Sequence, residues 1–233
     1  MATHEPKTIA FVLYPGITLL DLVGPLQVFS LLRGFNDRYQ PVVVAEQTEP
    51  VVTDTPLRVI ADKTFSEVPD PTIVIVPGGG SGTIKAMGDP VIRDYLRQAY
   101  QTSQLVGSVC TGAMILAAAG LLEGRNATTH WSHHKLLERL GATYLPERWV
   151  EDGKIITSAG VSAGIDMALA LVARLTDEPT ARLVQLWIEY DPQPPFGGID
   201  WSQVDRDMSE PMVTQWVQTQ LADRPDLLAK LSA

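Results

Sequence analysis

The sequence predicts an α/β fold, with one doubly wound, mostly parallel sheet and helices on both faces. Three observations predict it. Short β-branched, apolar runs (TIAFVL, PVVVA, TIVIV) read as buried strands. They alternate with helical segments of about a dozen residues, the rhythm of βαβ units. The 233 residues, 45% of them hydrophobic and 19% charged, suit one globular domain with a sizeable core.

Thr8–Leu13 is the first strand. Asp21–Leu32 follows with apolar residues at helical spacing. Pro41–Ala45 is a second strand and Leu57–Ala61 a hairpin or edge piece. Thr72–Val76 is a buried strand stopped by Pro77-Gly78-Gly79-Gly80, and Pro90–Thr102 is a helix with proline in its first turn. Gln104–Val109 is a central strand, and Thr111–Leu121 an Ala/Leu-rich helix closed by Gly124. Asn126–His130 is a short strand, and Ser132–Leu140 a helix ended by Gly141. Val150–Ser158 reads as a hairpin around Asp152-Gly153. Ser162–Leu175 and Glu178–Tyr190 are helices, the second stopped at Asp191-Pro192. The Pro/Gly-rich Pro192–Asp200 then crosses the surface to a helical tail at Pro211–Leu221, polar enough for an interaction arm. One domain over 1–233 is expected, with a core at about 8–196 and a tail at 197–233.

Lys+Arg total 18 and Asp+Glu 27, a formal charge of -9 that argues against a nucleic-acid phosphate backbone as partner. Met1–Lys7 is polar, and the longest apolar runs fall short of a membrane span, so a soluble cytoplasmic protein is the expectation. The single cysteine excludes an internal disulfide and a Cys-rich zinc site. It is either an inert core residue or a reactive thiol.

Cys110 lies in Gly107-Ser108-Val109-Cys110-Thr111-Gly112, after a buried strand and directly before a helix. That is the layout of a nucleophile elbow, at the sheet edge where open α/β proteins bind ligands. Amides and the dipole at a helix N-terminus favour a thiolate, so position is expected to lower the thiol pKa. Gly79 in the glycine turn and Thr111 could offer backbone N–H groups to an anion. On spacing alone the turn is an ordinary strand-to-helix connection. Asp21, between aliphatics in Leu19-Leu20-Asp21-Leu22-Val23-Gly24-Pro25, is either a helix N-cap or an acid/base with a raised pKa. Of four histidines, His130, His133 and His134 form H-x-x-H-H; no carboxylate or cysteine completes a metal site, so none is expected. His133 and His134 are expected to face solvent, and His130 to point into the sheet edge or a loop.

Together these motifs resemble the DJ-1/PfpI (ThiJ/PfpI) superfamily. The matching residues are Asp21 in LLDLVGP, Pro77-Gly78-Gly79, Ser108-Val109-Cys110-Thr111-Gly112 and Thr128-Thr129-His130-Trp131, within Thr8 to Phe196. The resemblance implies a flavodoxin-like fold. It also implies that Cys110 is the elbow nucleophile, Asp21 the acid contacting it, and Gly79 and Thr111 the oxyanion amides. Protease-like members carry His after the cysteine; here Thr111 stands there, which argues against peptidase chemistry. Cys-Thr-Gly, Gly124-Arg125-Asn126-Ala127-Thr128-Thr129-His130-Trp131 and Glu189-Tyr190-Asp191-Pro192 with Pro194-Pro195-Phe196 are similar to two branches, isocyanide (isonitrile) hydratases and ligand-sensing domains of AraC-type regulators. The regulators continue into a helix-turn-helix domain of about a hundred residues, for which Ala233 comes too early. Isocyanide hydration to an N-formamide through a thioimidate is therefore the implied activity, with no metal or organic cofactor and a likeness-based expectation of a homodimer. The implied pocket is aliphatic and aromatic, drawn from Ile17, His130, Trp131, Val161 and Phe196, with Thr111 positioning Cys110 or water through its hydroxyl. Competing expectations are a redox-sensing thiol without turnover, and a glyoxalase- or amidase-like activity in which His130 matters more.

Overall fold

Strand β1 (Lys7–Val12) forms because Ile9, Ala10, Phe11 and Val12 have no solvent exposure on either side, the mark of a central parallel strand. In this computed structural model, which describes residues 6–232, the chain continues as α1 (Leu19–Phe35), β2 (Tyr39–Ala45), β3 (Val51–Val52), β4 (Arg58–Val59), β5 (Lys63–Thr64) and β6 (Ile73–Val76). Then come α2 (Gly80–Met87), α3 (Pro90–Thr102), β7 (Leu105–Val109), α4 (Gly112–Ala118), β8 (Asn126–Ala127), α5 (His134–Arg139) and β9 (Thr143–Tyr144). The hairpin β10 (Trp149–Asp152) and β11 (Ile155–Ser158) precedes α6 (Ala163–Leu175), α7 (Glu178–Trp187), α8 (Glu210–Gln220) and α9 (Pro225–Ser232). His4 and the other residues of 1–5 lie outside the described residues.

The main sheet has seven strands in the order β10-β11-β7-β6-β1-β2-β5. Every neighbouring pair is parallel except the β10–β11 hairpin, so the expected doubly wound sheet is observed. Helices α1, α6 and α7 pack together as one layer, and α2, α3 and α4 as another. The strand order reverses between β1 and β6. In open α/β sheets such a reversal point, at the carboxyl edge, is where ligands bind. A bond from Thr18 N–H to the Gly78 carbonyl (2.8 Å) ties the loops after β1 and β6 together.

Several elements differ from the sequence reading for physical reasons. Helix α2 was not expected, because Gly80 and Gly82 weaken its propensity; tertiary contact overrides it. Gly82 packs so closely on Gly16 that a Cβ would meet the Gly16 backbone. Asn126–His130 pairs only over Asn126–Ala127, and the Ser132–Leu140 helix is split into a 3₁₀ turn at Trp131–His133 and α5. The tail is not a free arm: Val213 and Val217 of α8 are buried, and α8 packs on α2. No helix among the described residues is long and apolar enough to cross a membrane.

Gly112 opens α4 against the end of β6, where a Cβ would press on the carbonyl oxygens of Val76 and Pro77. Gly34, near the end of α1, has nothing within 4 Å of that position. Gly112→Ala should therefore lose roughly 1–3 kcal/mol in urea unfolding through overpacking, whereas Gly34→Ala should gain up to about 1 kcal/mol through helix propensity.

Candidate active site

Cys110 closes β7 with φ 56°, a left-handed backbone uncommon for any residue with a Cβ. Its amide donates to the carbonyls of Ser158 (3.1 Å) and Ala159 (3.2 Å), and its carbonyl accepts from Thr129 Oγ1 (3.0 Å). The ends of β7 and β11 and the Thr128–Thr129 segment thus hold the sharp strand-to-helix turn. Cys110 is 5% exposed.

Asp21 reaches the same point from the first turn of α1 and is fully buried. It is not the N-cap; Thr18 is. Asp21 Oδ2 accepts the Gly78 N–H (3.2 Å), while Oδ1 has no hydrogen-bond partner. The contact depends on glycine: a Cβ on Gly78 would come within 2.6 Å of Thr111 N and Oγ1 and 2.9 Å of Asp21 Oδ2.

Burial pushes the Asp21 carboxyl up to about 7, against the pull of Cys110 and the Gly78 N–H, with Asp54 adding to the rise. Burial also pushes the Cys110 thiol well above its usual range. The Asp21 charge adds to this, and the Thr111 N–H and hydroxyl oppose it. The expected lowering of the thiol pKa by the helix N-terminus is therefore corrected: desolvation outweighs it. Two buried acids face each other, and a proton leaving sulfur has a carboxylate beside it to take it.

The two expected oxyanion amides fare differently. The Gly79 N–H is already engaged, donating to Thr111 Oγ1 at 2.9 Å. The Thr111 N–H pulls the Cys110 thiol down, against the effect of burial. Thr111 Oγ1 also contacts Thr83 Oγ1 (2.9 Å), which contacts the Tyr14 hydroxyl (2.9 Å); that hydroxyl donates to the Pro77 carbonyl (2.8 Å). Tyr14 and Thr83 escaped sequence reasoning. They sit in a strand end and a helix with nothing in their neighbours to mark them.

Beside the elbow lies a cavity of about 290 Å³ lined by Thr129, His130, Trp131, Tyr144, Pro146, Glu147, Arg148, Ala159, Gly160, Val161, Ser162, Ile199, Trp201 and Arg206. It gathers the predicted His130, Trp131 and Val161. It does not gather Ile17, which is fully buried behind Gly79, or Phe196, which is 98% exposed on the surface segment. The wall is aromatic but also charged. Arg148 pairs with Asp166, and Arg206 donates to the Tyr144 hydroxyl (2.9 Å).

His130 Nδ1 accepts the Ser132 N–H (3.3 Å), and Ser132 Oγ bridges His130 Nδ1 (2.6 Å) and His133 Nδ1 (2.8 Å). Burial lowers His130 and brings His133 down to about 3, so both rings are neutral at pH 7. His133 is buried, not solvent-facing as expected, because Trp216 of α8 covers it. Among the described residues no group of three or more His, Cys, Asp or Glu side chains is placed to hold a metal ion.

Sheet order and elbow define an open α/β protein of flavodoxin-like fold with a cysteine at the carboxyl edge of its sheet. The profile of the DJ-1/PfpI family matches residues 7–174. The chain is 42% identical to an isonitrile hydratase of Pseudomonas putida over 188 residues, 81% of this chain and 80% of that one. A ThiJ/PfpI family protein of Pseudomonas syringae has a crystal structure matching 98% of this chain and 91% of its own, at 35% identity and TM-score 0.82. An HTH-type transcriptional regulator of Rhizobium meliloti is 32% identical, covering 79% of this chain but 58% of the regulator. The chain belongs to the DJ-1/PfpI family.

Asp21 is held protonated in the folded state up to about pH 7 but only to about pH 4 when unfolded. Between those values the folded state binds the extra proton, so this group's contribution to stability falls as pH rises. Asp21→Asn should melt above the wild type at pH 8, with the gap closing as pH falls to 4; a constant gap across thermal melts would contradict the raised pKa.

Proposed function

We propose that the protein is an isocyanide hydratase, adding water to R–NC to give the N-formamide R–NH–CHO. One observation carries the reading: the only thiol in the chain lies against a buried carboxyl whose Oδ1 has no other partner and which titrates near neutrality. The likeness to the P. putida isonitrile hydratase supports it.

The chemistry follows from that pair. Asp21, as carboxylate, takes the Cys110 proton while sulfur bonds to the terminal isocyanide carbon. Asp21 then returns the proton to that carbon, giving the thioimidate Cys–S–CH=N–R. Water adds to the same carbon as nitrogen gains a proton. The C–S bond then breaks, its electron pair returning to sulfur, and the hydroxyl proton leaves to complete R–NH–CHO. Asp21 serves as base and as acid by turns, a task suited to a group titrating near the working pH.

The addition step places negative charge on carbon, where a proton quenches it, and not on oxygen. A site whose Gly78 and Gly79 amides are both engaged internally suits that step better than attack on an amide or aldehyde carbonyl. The aromatic part of the cavity, Trp131 with Tyr144 and Trp201, suits an apolar R group. We further propose a homodimer, since Leu20 and Val23 flank Asp21 on an exposed apolar strip of α1. Light scattering showing a monomer at micromolar concentration would refute it.

The deciding assay follows formamide production from cyclohexyl isocyanide. Cys110→Ala should abolish turnover with the melting temperature nearly kept, and Asp21→Asn should cut kcat by about 10²-fold or more. Turnover by Cys110→Ala equal to wild type would refute the mechanism.

A further inference from the structure

The hydroxyl contacts behind Thr111 have a fixed direction. The Pro77 carbonyl can only accept, so the Tyr14 hydroxyl at 2.8 Å donates its single proton there. The Tyr14 oxygen must then accept from Thr83, 2.9 Å away. Thr83 has given its own proton, so it accepts from Thr111 at 2.9 Å. The Thr111 oxygen in turn accepts the Gly79 N–H. All five residues are buried, so no bulk water competes for these protons. Burial also keeps Tyr14 protonated, so the first donor of the chain is not lost on titration.

We propose that Tyr14 and Thr83 are positioning residues that turn the Thr111 proton away from Cys110, leaving Asp21 as the one side chain able to exchange a proton with the sulfur. The Thr111 hydroxyl is placed where donation to the sulfur would lower the thiol, and the chain commits that proton to Thr83 instead. A sulfur that receives no hydroxyl proton keeps its full nucleophilicity once ionised, and its proton has one destination. The kinetic consequence rests on the hydratase reading; the direction of the chain does not.

Cutting the chain at either link frees the Thr111 proton. In Thr83→Val the acceptor is gone. In Tyr14→Phe the Thr83 proton loses its acceptor and turns back onto Thr111 Oγ1. Either way the Thr111 hydroxyl can donate to the thiolate and stabilise it. The sole cysteine makes iodoacetamide labelling unambiguous. The pH midpoint of Cys110 alkylation should fall by about one unit in both variants, an alkylation rate about tenfold higher at a fixed pH below the midpoint. Thr83→Ser should restore the wild-type midpoint, and Thr83→Val combined with Thr111→Val should lose the shift. In the isocyanide assay kcat should fall with KM unchanged. An unchanged midpoint in a folded Tyr14→Phe or Thr83→Val protein would overturn the proposal, as would a shift that survives removal of the Thr111 hydroxyl. Tyr14→Phe keeps the ring in the core and carries the test if Thr83→Val does not fold. Alkylation needs no isocyanide, so the shift is measured whether or not the protein proves to be a hydratase.

Discussion

The close approach permitted by Gly78 is the constraint on which the site depends. Three carboxyl-edge segments, those following β1, β6 and β7, meet there within van der Waals contact. With no side chain at that position, the Asp21 carboxylate and Thr111 both occupy the space a Cβ on Gly78 would take. Gly79 and Gly112 extend the same economy of volume: the first lies against the Gly16–Ile17 backbone, the second against the end of β6. A seam of backbone contacts is stiffer than one of long side chains, so the distance between thiol and carboxyl is set by main-chain packing.

That packing explains how an unfavourable pair of groups persists. A buried carboxyl beside a buried thiol gains nothing for folding at neutral pH. It is held because α1 is anchored elsewhere, by Leu22, Val28, Phe29 and Leu32 in the core and by the approach of Gly24 to Ile165 of α6. The apolar layer supplies the stability that the polar pair consumes. The remaining polar atoms are arranged around that pair. Asp21 Oδ2, the Gly79 amide and the Thr111 hydroxyl all have internal partners, and Oδ1 has none.

The strands and the elbow were legible because their signals are local: β-branched runs, a glycine turn, a cysteine between strand and helix. Cys110, Thr111 and Asp21 do meet, as their motifs implied. What escaped reading was set by contacts distant in sequence. Helix α2 carries two glycines, and only the packed chain shows them seated on Gly16 and under Trp216. Thr83 and Tyr14 are 69 residues apart, and nothing local marks either as joined to Thr111. The sign of the Cys110 shift was misread because a helix N-terminus is visible in sequence, whereas the depth of burial that outweighs it is not. Phe196 was placed by its proline-rich motif, which specifies a surface path and not its destination.

The α8 tail gives the site an architecture beyond its family core. The matched region ends at residue 174, yet Trp216 lies tilted beside His133, ring centroids 6.2 Å apart, and stands in van der Waals contact with the position a Cβ would take on Gly80. The outer side of the glycine turn is thus roofed by a segment far along the chain from any residue of the reaction. Changes in the tail can then alter the rigidity of the turn without touching a reacting atom. Divergence in this segment, outside the matched family region, would be a route to altered rate or substrate range while the Cys110–Asp21 pair stays fixed.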